Sequence, residues 1–211
     1  MSEIKSQTNV DNRAFQEMKK AAVSRLQGRS AEEIAEKTAV VFNKEESCLE
    51  MESLGQKIQI EYPSWELRKE PEAWHTHLIL HYLEMADGAP LAEEWVTFGN
   101  LKDGLIRGTG FDRTVDMELE KILKGKDIED IKKLLGTLGA EIVDGRADLS
   151  AVISICPRYP LLLNIWLEDE EFPASGKLLA DKNADHYLTI EDAVTAGEIL
   201  LQRLRDAANT I

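Results

Sequence analysis

The sequence has few cysteines and no long apolar run, and each absence excludes a class of protein. Cys48 and Cys156 lie far apart and belong to no C-x-x-C motif, which excludes a disulfide scaffold or an iron–sulfur site. The longest apolar runs, 151–156 and 161–167, are much shorter than the ~20 residues of a membrane helix. Residues 1–12 lack the apolar core of a signal peptide. We therefore expect a cytoplasmic protein that is not inserted in a membrane.

Positive charge is also scarce. The 211 residues include 25 Lys and Arg against 39 Asp and Glu, which gives a formal net charge of −14 at pH 7. Such a surface repels phosphate backbones and anionic lipid headgroups, so neither nucleic acid nor a membrane is expected as a partner. Cationic ligands, metals or basic proteins match this charge better. Because 43% of the residues are hydrophobic, the chain has enough apolar side chain to form a buried core.

The hydrophobic pattern predicts a single globular α+β domain over residues 13–208, preceded by a flexible tail over residues 1–12. The expected architecture is a small antiparallel or mixed sheet packed against several helices. Helical periodicity begins near Asp11, and Ser30 with Glu33 forms a capping box that opens a short second helix. These two helices are expected to form a helical hairpin.

The remaining elements follow from changes in periodicity and from turn residues. Alternation with period two around Leu54-Gly55-Gln56 predicts a β-hairpin between Ser47 and Tyr62. Residues 95–98 are interpreted as a short strand or a loop. The pattern further predicts strands over 151–156 and 161–167 and helices over 74–86, 112–123, 127–138 and 189–207.

Three of the four histidines fall in the predicted helix 74–86. His77, His81 and Glu84 share one stripe at about 100° per residue, and the two histidines have the i, i+4 spacing of a zincin helix. The zincin glutamate is absent because Leu78 follows His77, and Glu84 lies ~10 Å along the helix axis from His77. We therefore interpret the stripe, extended by Thr76, as a solvated helix face and predict no metal site.

Four consecutive carboxylates, 168–171, follow a predicted core strand and are flanked by Trp166 and Phe172. Such a cluster at a strand end can bind a cation, an amine or a basic peptide, whereas the simpler interpretation is a solvated acidic turn. For Asp169 we predict a structural role, because a short carboxylate at a strand exit caps the turn through backbone N–H groups. Replacing it should therefore lower stability.

Two weaker patterns are interpreted as structural. The stretch Gly104–Gly110 precedes a helix predicted to begin at Asp112, but it lacks a phosphate-loop lysine, and Asp112 would repel phosphate. Turn glycines are expected there. Cys156 has no identifiable histidine partner, so a buried structural thiol is expected. The absence of a G-x-S-x-G motif leaves serine hydrolase chemistry without support.

Several stretches together resemble an uncharacterised family, domain of unknown function 3786, from about Phe15 to about Arg203. The resemblance implies no established activity. It does imply that the protein functions alongside redox or corrinoid-dependent enzymes of anaerobic bacteria and archaea. Some members look fused to a cysteine-rich iron–sulfur module, which two isolated cysteines cannot reproduce, so any cluster would belong to a partner. The stretches that carry the resemblance are His81-Tyr82-Leu83 with Gly88 and Pro90, Trp95-Val96-Thr97-Phe98, Gly104, Gly110-Phe111, Ala147-Asp148, Pro157-Arg158-Tyr159-Pro160-Leu161, Trp166 and Asp169-Glu170-Glu171-Phe172-Pro173.

Three functions fit these observations, and the sequence assigns no catalytic residue, cofactor or oligomeric state. The favoured one is an accessory or binding protein that recognises a small molecule, a cofactor, or a basic or redox partner protein. Its aromatic-acidic surface requires a central helix and the loop 166–173 to form two walls of one cleft. The ligand-binding candidates are His81, Tyr82, Trp166, Asp169 and Glu170.

Two alternatives remain open at the level of sequence. One is a metal-assisted hydrolase or lyase that uses His77, His81 and a carboxylate from 168–171. The other is a structural subunit of an oligomer, with the N- and C-terminal helices as its interface.

Overall fold

The chain folds into six α-helices and eight β-strands within residues 2–210, the backbone that the computed structural model describes; side chains are described for residues 13–210. This confirms the predicted α+β class. The helices are α1 (Ser2–Leu26), α2 (Ala31–Thr38), α3 (Ala73–Met85), α4 (Arg107–Leu123), α5 (Ile128–Gly136) and α6 (Ile190–Ala208). The strands are β1 (Val41–Asn43), β2 (Cys48–Ser53), β3 (Gln56–Glu61), β4 (Trp95–Val96), β5 (Glu141–Val143), β6 (Leu149–Cys156), β7 (Tyr159–Trp166) and β8 (Ser175–Asp181).

The strands form two antiparallel sheets, with the orders β1-β2-β3 and β4-β8-β7-β6-β5. The predicted hairpin is confirmed as β2 and β3, which are joined by Leu54 and Gly55 with φ angles of 49° and 70°. Both residues of such a turn need positive φ, a conformation that glycine adopts without steric cost. The two sheets meet at this turn, where the Leu54 N–H donates to the Ser154 carbonyl over 3.0 Å.

The first two predicted helices are present, but among the described residues both pack on α3 rather than mainly on each other as a helical hairpin would. Two further differences concern their ends. α1 begins at Ser2 rather than near Asp11. The flexible tail expected over residues 1–12 lies outside the residues whose side chains are described, and it stays a prediction. Ser30 caps α2 by accepting the Glu33 N–H over 3.3 Å, as predicted, whereas the Glu33 carboxylate binds Lys37 at 2.7 Å.

The glycine stretch before α4 was interpreted only partly correctly. Gly104 lies in a turn, but α4 begins at Arg107, so Gly108 and Gly110 are helical. A Cβ atom at Gly108 would lie 2.1 Å from the Phe98 carbonyl oxygen, so this position must be glycine for the helix to approach the preceding segment. Asp112 therefore lies inside α4 and not at its beginning, and its carboxylate accepts the N–H groups of Phe98 and Gly99.

Helix α3 lies between α1 and α6, and α6 also packs on α4, which in turn covers β8. The prediction that one stripe of α3 is a solvated face is therefore wrong: Thr76 is fully buried and His77 is only 6% exposed. The physical reason is that neighbouring helices cover α3 on both sides. Among the described residues, no helix combines the length and apolar character that crossing a bilayer requires.

Candidate functional site

A cleft of about 850 Å³ opens between α1, α3 and α6, beside the beginning of α4. Its floor is apolar, with Leu78 from α3 and Ile199 from α6. The indole ring of Trp74 stands at the mouth, and the residue is 54% exposed. The cleft is lined by Met18, Glu72, Ala73, Trp74, His77, Leu78, His81, Arg107, Thr189, Glu191, Asp192, Thr195, Glu198, Ile199 and Gln202.

His77 forms part of the cleft wall and is held between two other rings. Its centroid lies 4.0 Å from that of His81 and 6.4 Å from that of Trp74, which meets it edge-on. Burial, followed by the neighbouring His81, lowers the pKa of His77 from 6.5 to about 4, so its imidazole is neutral at pH 7. Within residues 13–210, Nδ1 of His77 is completely buried and has no hydrogen-bond partner.

His81 is oriented by Asp192 across the cleft. Its Nδ1 lies 3.0 Å from Oδ1 of Asp192, while Oδ2 accepts bonds from the hydroxyl and the N–H of Thr189 at 2.7 and 3.3 Å. Burial alone would raise the pKa of Asp192, but hydrogen bonds from His81 and Thr189 outweigh it and lower that pKa. An ionised carboxylate only accepts, so Nδ1 of His81 donates to Asp192, and the other ring nitrogen, Nε2, lies 3.4 Å from the Arg25 guanidinium.

Asp192 is the site residue that sequence reasoning missed. The sequence does contain a signal, since Thr189 and Asp192 have the capping-box spacing and form that box at the start of α6. The signal locates the beginning of a helix. It does not indicate that the same carboxylate contacts His81, which is 111 positions earlier in the chain.

The mouth of the cleft carries charged side chains. Arg107, at the beginning of α4, lies 3.1 Å from a carboxylate oxygen of Glu191 and 3.7 Å from one of Glu198. Glu72 precedes α3 and also lines the cleft. The cleft therefore combines an apolar floor, the imidazoles of His77 and His81, and several carboxylates.

The predicted proximity of His81 and Tyr82 to the loop 166–173 is wrong. The Tyr82 hydroxyl accepts the N–H of Arg158, which lies in the turn between β6 and β7. Trp166 is at the far end of β7, roughly 23 Å away at the usual rise of a strand. Tyr82 is fully buried, and its hydroxyl donates to the Thr38 carbonyl, so its contacts join α2, α3 and the β6–β7 turn.

This separation also corrects the metal-assisted alternative, because the carboxylates of 168–171 do not reach the histidines of α3. Among the described residues, the group of three ligand atoms close enough for one ion is Glu46, Cys48 and Glu50. Lys57 already binds Glu50 at 2.8 Å, and Arg68 binds Glu46 at 2.6 Å. Those carboxylates are thus neutralised by protein cations rather than left to coordinate a metal.

The acidic turn is solvated, and Asp169 has the local contacts predicted for it. Its Oδ1 accepts the N–H groups of Glu171 and Phe172 at 2.8 and 2.7 Å, which lowers its pKa. Glu170 is exposed. Cys156 is buried as expected, and burial raises the pKa of its thiol.

The fold and the cleft define the class of protein: an α+β protein with a ligand-sized cleft between helices. The chain belongs to the family described as domain of unknown function DUF3786, whose model matches residues 30–203. This confirms the resemblance seen in the sequence, and the match includes the cleft residues of α3 and α6. Searches of curated proteins and of solved structures give no significant match.

Proposed function

We propose that this protein binds a small organic molecule in the cleft between α1, α3 and α6. The observation that carries the proposal is an apolar-floored cleft of about 850 Å³ with His77 in its wall. Nδ1 of this buried imidazole has no hydrogen-bond partner within residues 13–210. Ligand sites are commonly clefts of about 300 to 1,000 Å³ with an apolar lining and a few convergent polar groups.

The proposal keeps the binding role expected from the sequence and moves its location. His81 stays in the site, whereas Trp166 ends strand β7, and Asp169 and Glu170 lie in the separate solvated turn that follows it. A cytoplasmic location is part of the proposal, supported by two cysteines that are both free and buried.

Indole is a suitable probe because it is a small neutral aromatic molecule that fits the apolar floor. We expect indole to shift the NMR resonances of His77 and His81 in the full-length protein. Thr195→Trp places a large side chain in the cleft and should abolish these shifts. The matched control is Thr114→Trp, since both hydroxyls donate to the carbonyl four residues earlier in an α-helix, but Thr114 is exposed on α4. Equal indole binding by both variants would contradict the proposed location.

The His81–Asp192 contact favours a second candidate function, acid–base catalysis on the bound molecule. A carboxylate that accepts from Nδ1 leaves the lone pair of a neutral His81 on Nε2, and this nitrogen can act as a general base once the Arg25 guanidinium, which lies 3.4 Å away, is displaced. The test is hydrolysis of 4-nitrophenyl acetate, with a rate above that of free imidazole expected for the protein and lost in His81→Gln. A rate equal to that of imidazole would leave binding as the function.

A further inference from the structure

The charges that line the cleft do not balance. Four carboxylates line it, from Glu72, Glu191, Asp192 and Glu198, against the single guanidinium of Arg107. Arg107 is already shared between Glu191 and Glu198. Within residues 13–210, Glu72 has no ion-pair partner, and the only one that Asp192 has is His81, which balances its charge only when protonated. The Arg25 guanidinium approaches Nε2 of His81 at 3.4 Å, but it is paired with Glu84. The cleft is therefore negative, in a chain with a net charge of −14.

Asp192 has capacity for one more hydrogen bond. An ionised carboxylate offers about four lone-pair sites, and His81 and Thr189 occupy three of them. The residue is only 8% exposed, so its charge is poorly solvated while it borders the cleft. A donor that also carries positive charge would fill the remaining site and neutralise the carboxylate.

The aromatic wall favours the same kind of ligand. The exposed indole of Trp74 and the neutral imidazole of His77 meet edge-on, above the apolar floor formed by Leu78. The face of an indole attracts a cation within about 6 Å and also accommodates an aromatic ring. An anion would instead meet four carboxylates and a guanidinium that is already paired.

We infer that the ligand of this cleft is a small organic monocation, a primary ammonium on an aromatic body. Its ammonium group lies against Asp192, and its body lies on Trp74 and Leu78. This inference rests on the proposed function, because it specifies the class of molecule that the cleft binds.

Three probes of similar size and different charge test the class: 2-phenylethylammonium, 2-phenylethanol and 3-phenylpropionate. Titration of the full-length protein at pH 7 and low salt, followed by NMR, should show the ammonium binding about tenfold more tightly than the alcohol. The carboxylate should bind most weakly. Added salt should reduce the preference, because screening weakens the attraction.

Two cleft variants and one control locate the charge that is recognised. Asp192→Asn should remove the preference for the ammonium over the alcohol, and Glu72→Gln, which disrupts no capping bond, should reduce it. Asp116→Asn is the control, because it removes one exposed negative charge from α4, outside the cleft. An unchanged preference in both cleft variants would overturn the inference.

The outcomes separate the inference from the proposed function. Equal affinity for the three probes, with indole still bound, would overturn the cationic class and leave the cleft as a binding site. Failure of the three probes and of indole to shift any cleft resonance would overturn both.

Discussion

Two histidines on α3, only two positions apart, occupy regions with opposite roles. His75 lies where the two sheets meet: its Nε2 is 2.7 Å from the Ser53 hydroxyl, which donates to the Ile155 carbonyl at 2.5 Å. His75 thus links α3 to a strand of each sheet. His77 borders the cleft and bonds to nothing within residues 13–210. Both rings are buried, and both have a pKa lowered to about 4.

The comparison shows that neither a perturbed pKa nor an unpaired nitrogen identifies a site by itself. The Nδ1 atoms of both His75 and His77 are buried without a partner, and burial is the main cause of both lowered pKa values. The difference is what surrounds each ring. One ring bonds to a packed junction, and the other faces a cleft that can accommodate a ligand.

The largest expected effect is acid destabilisation shared by the two histidines. Unfolded chains take up a proton near pH 6.5, whereas the folded protein resists it until about pH 4. Stability from these groups is therefore fully present above pH 6.5 and is lost as the pH falls toward 4. Between pH 7 and 4.5 the two together should lose about 4 kcal/mol of unfolding free energy.

Urea unfolding at the two pH values measures this loss. His75→Leu and His77→Leu should each remove about half of the pH dependence. A pH dependence that is unchanged in both variants would mean that other groups are responsible for it.

The second prediction concerns the junction between the sheets. His75→Leu removes the hydrogen bond to Ser53 and leaves that buried hydroxyl without its donor. We expect a loss of about 2 kcal/mol in the free energy of unfolding at pH 7, measured by urea denaturation. Indole and 2-phenylethylammonium should bind as before, because the ring does not line the cleft. Unchanged stability would show that the junction does not depend on His75.

Local sequence patterns predicted much of the fold, because caps, turns and hydrophobic periodicity depend on residues that are close together in the sequence. The cap of α2, the helix α5, the hairpin of β2 and β3, and the strands β6 and β7 are each set by residues close in sequence. Strands β1, β5 and β8 were not predicted. β1 and β5 have only three residues each, too few to show alternation. β8 has seven residues, but the adjacent Leu178, Leu179 and Ala180 break the alternation in its sequence. The start of α4 was missed because Gly108 indicates a turn locally, whereas packing against Phe98 makes it helical.

The site was only half predictable for a different reason. His81 was found because histidines at i and i+4 are visible in the sequence, but Asp192 joins it from a helix more than one hundred residues later. The polar stripe of α3 predicts a solvated face, because it says nothing about α1 and α6, which cover that face. Without those contacts, the sequence places His81 and the acidic turn 168–171 together in one candidate site.

A smaller effect is expected at that acidic turn, which provides a second contrast with the cleft. Asp169→Asn weakens two bonds from backbone N–H groups, so it should lower the melting temperature by less than His75→Leu does. Glu170→Gln is the control and should leave the midpoint unchanged. Neither variant should alter indole binding, because the turn is remote from the cleft. Equal midpoints for both variants would contradict the capping role of Asp169.

The smallest effect on stability is expected for His77→Leu. The substitution replaces a buried ring that has no hydrogen-bond partner within residues 13–210 by an apolar side chain beside Leu78 and Ile199. The free energy of unfolding at pH 7 should change by no more than about 0.5 kcal/mol, because the lost ring contacts are offset by removal of an unpaired polar atom. Binding of indole and of 2-phenylethylammonium should weaken, because the imidazole forms part of the cleft wall.

Substitutions of the two neighbouring histidines should therefore have opposite effects on stability and on binding. His75→Leu lowers stability and keeps the cleft, whereas His77→Leu keeps stability and impairs the cleft. Urea denaturation and NMR titration of the same two variants measure both quantities. If His77→Leu destabilises the protein as much as His75→Leu and binds both probes normally, His77 is a packing residue and the cleft loses the observation on which its function was proposed.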